Sequence, residues 1–288
     1  MRTLLFCISL LLSVHANAQD LKAYQLLNAE GGAATFADIV KKSKKSDVVF
    51  FGELHNNPIA HWMQYELTKA LHEEAKGSLV LGAEMFESDN QLLLTEYLNG
   101  TIPAKTFEDE ARVWNNYKTD YKPLVDFALE KQLPFIATNI PRRYASLVFK
   151  GGFEALEGLA PEAQQYIAPS PVPYDPNLPG YVKMVEMMGG HGSGSANFPK
   201  AQAIKDATMA YFISQHLPEK GVFLHFNGSY HSDHYEGIVW YLKEAYAPKA
   251  KVLTITTLET DDLSAIPEGE QGKADFYLLV PSSMTKTY

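Results

Sequence analysis

The stretch Asp47-Val48-Val49-Phe50-Phe51-Gly52-Glu53-Leu54-His55 sets two ionisable side chains directly after an apolar run. Residues 48–51 are short and wholly apolar, the pattern of a buried strand. Residues i and i+2 of an extended segment project to the same side. Glu53 and His55 therefore converge on one point just beyond the strand, such as a metal ion, a bound water or a cofactor edge.

Outward from this stretch, further strand-length apolar runs occupy 79–83, 135–138, 222–226, 252–257 and 276–280. Helical patterns lie among them. Ile59, Met63, Leu67 and Leu71 recur every four residues and mark one helical face. Residues 124–129 follow Pro123, a favoured helix entry, and stop before Pro134. Residues 201–216 are apolar nearly all round and read as a buried helix, and 238–246 as another. This alternation predicts an α/β fold with a mostly parallel central sheet and helices on both faces.

In an open parallel sheet, ligands bind beyond the carboxyl ends of the strands. The first strand ends in Glu53 and His55, the second in Glu84-Met85-Phe86-Glu87. The third runs into Asn139, Arg142 and Arg143, and the fourth into Asn227-Gly228-Ser229-Tyr230-His231. If these strands are neighbours, Glu53, His55, Glu84 and His231 share one rim. Ser88 is the better cap for the helix after the second strand, which leaves Glu84 free for the site. His225 reads as a core histidine inside its strand, His72 beside Glu73 and Glu74 as a solvated one. Gln202 and Asp206 share a helix face. Asp206 on so apolar a helix must be paired or face a cavity, so it either anchors a buried network or lines the site.

One segment breaks the rhythm. Residues 161–199 carry seven prolines and the run Gly189-Gly190-His191-Gly192-Ser193-Gly194, with a short helix expected over 181–188. Long irregular insertions in compact domains serve function or are disordered, and this one reads as a Pro/Gly-rich helical flap over about 161–200.

Composition narrows the classes. Arg2, an apolar stretch over 4–14 and Ala16-Asn17-Ala18 have the form of a secretory signal peptide, residues 1–18, followed by a single domain over 19–288. Its loss makes the chain one unit more negative than the net −9 of all 288 residues, which argues against nucleic acid or anionic membrane as a partner. Cys7 is the one cysteine and lies inside the leader, so residues 19–288 form no disulfide or thiolate metal site. The expected location is exported, either periplasmic or outer-membrane-associated.

The segments Phe51-Gly-Glu-Leu-His-Asn-Asn-Pro58, Glu84-Met-Phe-Glu87, Leu133-Pro-Phe-Ile-Ala-Thr-Asn-Ile-Pro-Arg142, Asp206-Ala-Thr-Met-Ala210 and Gly228-Ser-Tyr-His231 with Gly237-Ile238 occur in an order that resembles the ChaN-like haem-binding uptake family. The resemblance covers most of the chain. The wider superfamily looks like it includes erythromycin-esterase-like hydrolases and Tiki metalloproteases, which use such a rim for catalysis. The resemblance implies an envelope protein binding haem for bacterial iron acquisition, as a homodimer with haem at the interface and tyrosine as iron ligand. It also makes an outer-membrane haem receptor a candidate partner. Family members are often lipoproteins, and this chain departs from them in lacking a lipobox cysteine.

A haem site asks for a Tyr or His ligand and an apolar, adaptable wall. Tyr181, Met184, Met187, Met188 and His191 on the flap supply these, with Tyr174 as a further ligand candidate. The alternative is a hydrolase dependent on a divalent metal (Zn, Mn or Fe), in which Glu53, His55, Glu84 and His231 hold the metal or activate water and Glu53 is the general base. No Gly-x-Ser-x-Gly motif stands at a strand-to-helix turn, which disfavours covalent serine catalysis.

Overall fold

The computed structural model describes residues 21–74, 78–187 and 197–288. The expected signal peptide, Met188 and His191 lie outside the described residues. In chain order the elements are β1 (Gln25–Asn28), α1 (Phe36–Ser43), β2 (Val48–Glu53), α2 (Pro58–Glu74), β3 (Leu79–Glu87), α3 (Gln91–Leu98), α4 (Ala104–Glu110), α5 (Lys122–Lys131), β4 (Phe135–Asn139), α6 (Arg142–Gly151), α7 (Pro161–Gln164), α8 (Pro179–Met187), α9 (Phe198–Gln215), β5 (Val222–Gly228), α10 (Gly237–Tyr241), β6 (Val252–Thr260) and β7 (Phe276–Pro281).

The sheet order is β1-β7-β6-β2-β5-β3-β4, with every pair parallel except β1 with β7. Each expected strand forms, and each is extended by one to four residues at its carboxyl end. The addition is β1, a polar-flanked edge strand whose four residues leave no periodicity to read. Strand β2 is buried along its whole length, as a central parallel strand between two helical layers must be. Val49 and Phe51 face one core, shared with Met63, Leu67 and Leu71 of α2 and with α5. Val48 and Phe50 face the other, shared with Ile204, Ala207 and Ile213 of α9 and with α10.

Strand β5 enters between β2 and β3, so the helix α2 connection crosses over it. The carboxyl ends of β2, β5 and β3 thereby lie side by side, the place where an open parallel sheet forms its crevice. Gly52 is required there: a Cβ on it would lie 2.8 Å from the Ser229 backbone and 3.0 Å from the Ile255 carbonyl oxygen. Gly237, at φ +53°, packs against the His231 backbone, where a Cβ would come within 2.4 Å of its carbonyl oxygen. Among the described residues no helix is long and apolar enough to cross a membrane.

Candidate functional site at the strand ends

Register sets the site. Glu53 pairs with Gly228 across β2 and β5, and the β3 ladder shifts between Ala83 and Glu87. Such an irregularity re-aims a side chain, and here Glu84 Oε2 turns inward to accept the Gly228 amide at 2.8 Å. Gly228 also makes room for His55, since a Cβ on it would meet the imidazole Nε2 at 2.9 Å and Glu84 Oε2 at 3.5 Å. All four expected rim residues, Glu53, His55, Glu84 and His231, thus gather around Gly228.

They form two acid–imidazole couples. In the first, His55 Nδ1 lies 2.9 Å from Glu53 Oε1. Glu53 is sealed: Tyr121 donates its hydroxyl to Oε1 at 2.7 Å and Gln64 its amide to Oε2 at 2.6 Å. The turn carrying His55 is equally fixed. Asn57 Oδ1 accepts the Ile59 and Ala60 amides and caps α2, with Pro58 as its first residue. The His55 carbonyl accepts from Asn116 Nδ2 at 2.8 Å and His61 Nε2 at 3.1 Å. Its ring stands edge-on to Trp114 at 4.8 Å and stays about one third exposed (36%). Burial opposes charge on His55, yet the Glu53 hydrogen bond and the Glu84 and Glu53 carboxylates together raise its pKa.

In the second couple, His231 Nδ1 lies 2.6 Å from Asp206 Oδ1, and Nε2 lies 3.3 Å from Glu84 Oε1. Burial disfavours the imidazolium, but Glu84 and Asp206 on its two sides push its pKa up to about 10. Burial would raise Glu84, and the charge and hydrogen bond of His231 reverse that and hold it well below the carboxylate range. Asp206, fully desolvated, is raised instead. Asp206 thus anchors a buried network with His231 and Glu84, and that network adjoins the rim.

The divalent-metal expectation for Glu53, His55, Glu84 and His231 is not supported. Among the described residues no group of three or more His, Cys, Asp or Glu is arranged to hold a metal. The reason is visible in the bonding, because both Glu53 oxygens, His55 Nδ1 and both nitrogens of His231 are occupied within the protein. Glu53 is buried, with both oxygens bonded, and its Oε1 holds His55 Nδ1.

Several residues escaped the sequence reading. Gln64 sits on the buried face of α2 with Leu67 and Leu71, and a glutamine at a core position is a signal that it has a buried partner. His61 is buried beside it, 3.2 Å from Gln64 Oε1. Tyr121 and Asn116 come from a distant segment, and nothing local points to them. Ser88, expected as a cap, instead donates to the Tyr166 carbonyl at 2.7 Å and ties down the flap. His72 is half-buried edge-on to Phe127 rather than solvated.

On the flap, Tyr181 and Met184 face inward and are buried, 3% and 8% exposed, while Val182 and Met187 face out. Tyr174 is half-buried between Phe153 and Tyr181, at 5.5 Å from each. Tyr230, next to His231, is exposed on the same side. The flap candidates that the structure describes therefore cluster, but Tyr181 points into the protein. Burial raises its pKa strongly.

Three comparisons bear on this arrangement. No curated protein matches the chain in sequence. Among solved structures, ChaN of Campylobacter jejuni, described with cofacial haem binding, aligns with a TM-score of 0.69 at 17% identity, over 90% of this chain and 97% of that one. More distant are a Bacillus cereus protein (TM-score 0.48, 12% identity, 90% of this chain and 95% of that one) and an erythromycin esterase mutant in its open conformation (TM-score 0.46, 10% identity, 90% and 83%). The family described as haem-binding uptake, Tiki superfamily, ChaN matches residues 39–242, which take in the rim, the flap and the helix beneath it. With a match over most of its length, and with the fold of ChaN, this chain belongs to the ChaN family of haem-binding uptake proteins.

Proposed function

We propose that this protein binds haem on the flap side of the rim, as an exported component of bacterial haem and iron uptake. The observation that carries the reading is the exposure of Val182 and Met187 on the flap helix and of Tyr230 beside His231, large apolar and aromatic side chains next to a polar rim. The donors fit a ferric porphyrin: the Tyr230 phenol is exposed and the Tyr174 phenol half-buried on this side, with the Tyr181 phenol buried behind them, and methionine shapes itself to a flat ring. Met184 backs the wall, with Met188 and His191 following in sequence. A phenol ligand binds iron only after losing its proton, so binding releases one. Haem shared between two copies would cover the patch on each, which supports a homodimer. The leader-like residues 1–18 support the periplasm or outer-membrane surface, where an outer-membrane receptor would be the partner.

The test is an absorbance titration of residues 19–288 with hemin, beside Tyr181→Phe, Tyr174→Phe and His191→Ala. A saturable Soret shift at micromolar protein is expected, weakened by at least one variant. No saturable shift ends the reading.

A second reading, hydrolysis, is favoured by one observation. His55 is the exposed member of two otherwise sealed acid–imidazole couples, held by Glu53 as a general base is held. Ester or amide turnover abolished by His55→Ala would establish it.

A further inference from the structure

We propose that helix α8 is a lid, latched through Gly180, which shuts the Asp206–His231 end of the rim and opens to admit the ligand. The ligand rests on the haem reading, whereas the lid does not.

The latch is a pair of hydrogen bonds on one residue. The Gly180 amide donates to Glu236 Oε2 at 2.7 Å, and the Tyr230 hydroxyl donates to the Gly180 carbonyl at 3.3 Å. A side chain at residue 180 would push the Glu236 carboxylate off the amide it accepts from. A Cβ at this position would lie 2.6 Å from Glu236 Oε2 and 3.4 Å from the Tyr230 hydroxyl.

The inner face is poorly matched to what it covers. Tyr181 and Met184 are the buried residues of α8. Among the described residues the Tyr181 hydroxyl has no hydrogen-bond partner, and neither has Asp206 Oδ2 on the helix beneath. The neighbouring Tyr241 hydroxyl donates its own proton to the Pro173 carbonyl at 2.8 Å. A polar atom buried without a partner destabilises the state that buries it. The shut lid therefore holds two such atoms, one on each side of its contact, and the latch works against them. Elements with few buried contacts open locally while the rest stays folded. Opening α8 would free the Tyr181 phenol and uncover Asp206 and His231 together.

The experiment is amide hydrogen exchange across residues 181–187 of the unliganded protein. Gly180→Ala and Glu236→Ala should each speed exchange in α8 several-fold and leave β2 and β5 unchanged. Alanine is the better helix former, so faster exchange in Gly180→Ala reports the latch and not the helix. Tyr181→Phe removes one unpartnered atom from the shut state and should slow exchange. Unchanged exchange in Gly180→Ala, or faster exchange in Tyr181→Phe, overturns the lid. Hemin association, followed by stopped flow, then tests admission: Gly180→Ala should bind several-fold faster than wild type. Saturable binding at an unchanged rate overturns admission. No binding in any variant overturns the haem reading alone, since exchange has already decided the lid.

Discussion

The rim and the flap, neighbours in space, are built on opposite principles. At the rim each buried acid has a base and the bonding is redundant: Glu53 takes three donors, and His231 stands between two carboxylates. Across the contact, α8 buries two side chains and leaves a phenol without a partner among the described residues. The rim is positioned by sheet register, which no local change can shift, and the flap by a few contacts that one substitution can undo. Rigidity thus lies where charge must be held in place, and freedom lies at the entrance.

The strongest way to break this comparison is Asp206→Ala. It leaves a buried imidazolium with one partner instead of two, a change worth about 3–5 kcal/mol. Urea denaturation should show a loss of that size, with part of it recovered in Asp206→Asn, which keeps the packing. A loss below about 1 kcal/mol would mean that the rim is not tied together by charge.

The pH dependence of stability comes next. His231 titrates at about 10 in the fold against 6.5 ordinarily, so its contribution is complete below 6.5 and disappears as pH rises toward 10. His225 runs the other way. Burial lowers it to about 4, with Thr138 and Asn227 as hydrogen-bond partners. The unfolded chain then takes up a proton that the fold refuses, and stability falls as pH drops from 6.5 toward 4. Glu84, held low, adds a further loss on the acid side below about 4.5. Urea midpoints across this range should peak near neutrality. A plateau from 6.5 to 10 would place His231 outside the charged network.

How legible the two regions were in the sequence follows the same division. Glu53, His55, Glu84 and His231 stand at strand ends, and strand ends are visible as the edges of apolar runs. Parallel topology alone then brings them to one rim. The partners that seal them were hidden, because Tyr121 reaches Glu53 across 68 positions and carries no local signature. The metal expectation finds no support for that reason: the donors were legible, their prior commitments were not. On the flap, the spacing of Tyr181 and Met184 predicted a helix and supplied ligand types, but which face turned inward depends on packing against α9, which no periodicity in nine residues specifies.

A smaller effect tests whether the protection of the sheet extends to its margin. Strand β4 is an edge, and Gln91 acts on it as a neighbouring strand would: its Oε1 accepts the Ala137 amide at 2.6 Å and its Nε2 donates to the Phe135 carbonyl at 3.1 Å. Gln91→Ala should cost about 1–2 kcal/mol in urea. Sedimentation should also show added self-association through the bared edge, and a monodisperse variant would show that the edge needs no cover.

The smallest expected effect sharpens the comparison most, because it keeps the chemistry and changes only the burial. Arg112 pairs with Glu87 and Asp89 at the mouth of the same rim, and Arg143 with Asp89, through guanidinium groups about half exposed. Water screens such pairs, and their worth is about 0–1 kcal/mol. Arg112→Ala should therefore shift the urea midpoint slightly, and in 1 M salt, where the Debye length is about 3 Å, the shift should vanish. The effect of Asp206→Ala should survive the same salt, since no ion reaches a fully buried carboxylate. If both substitutions responded alike to salt, burial would not be what separates the rim from its surroundings.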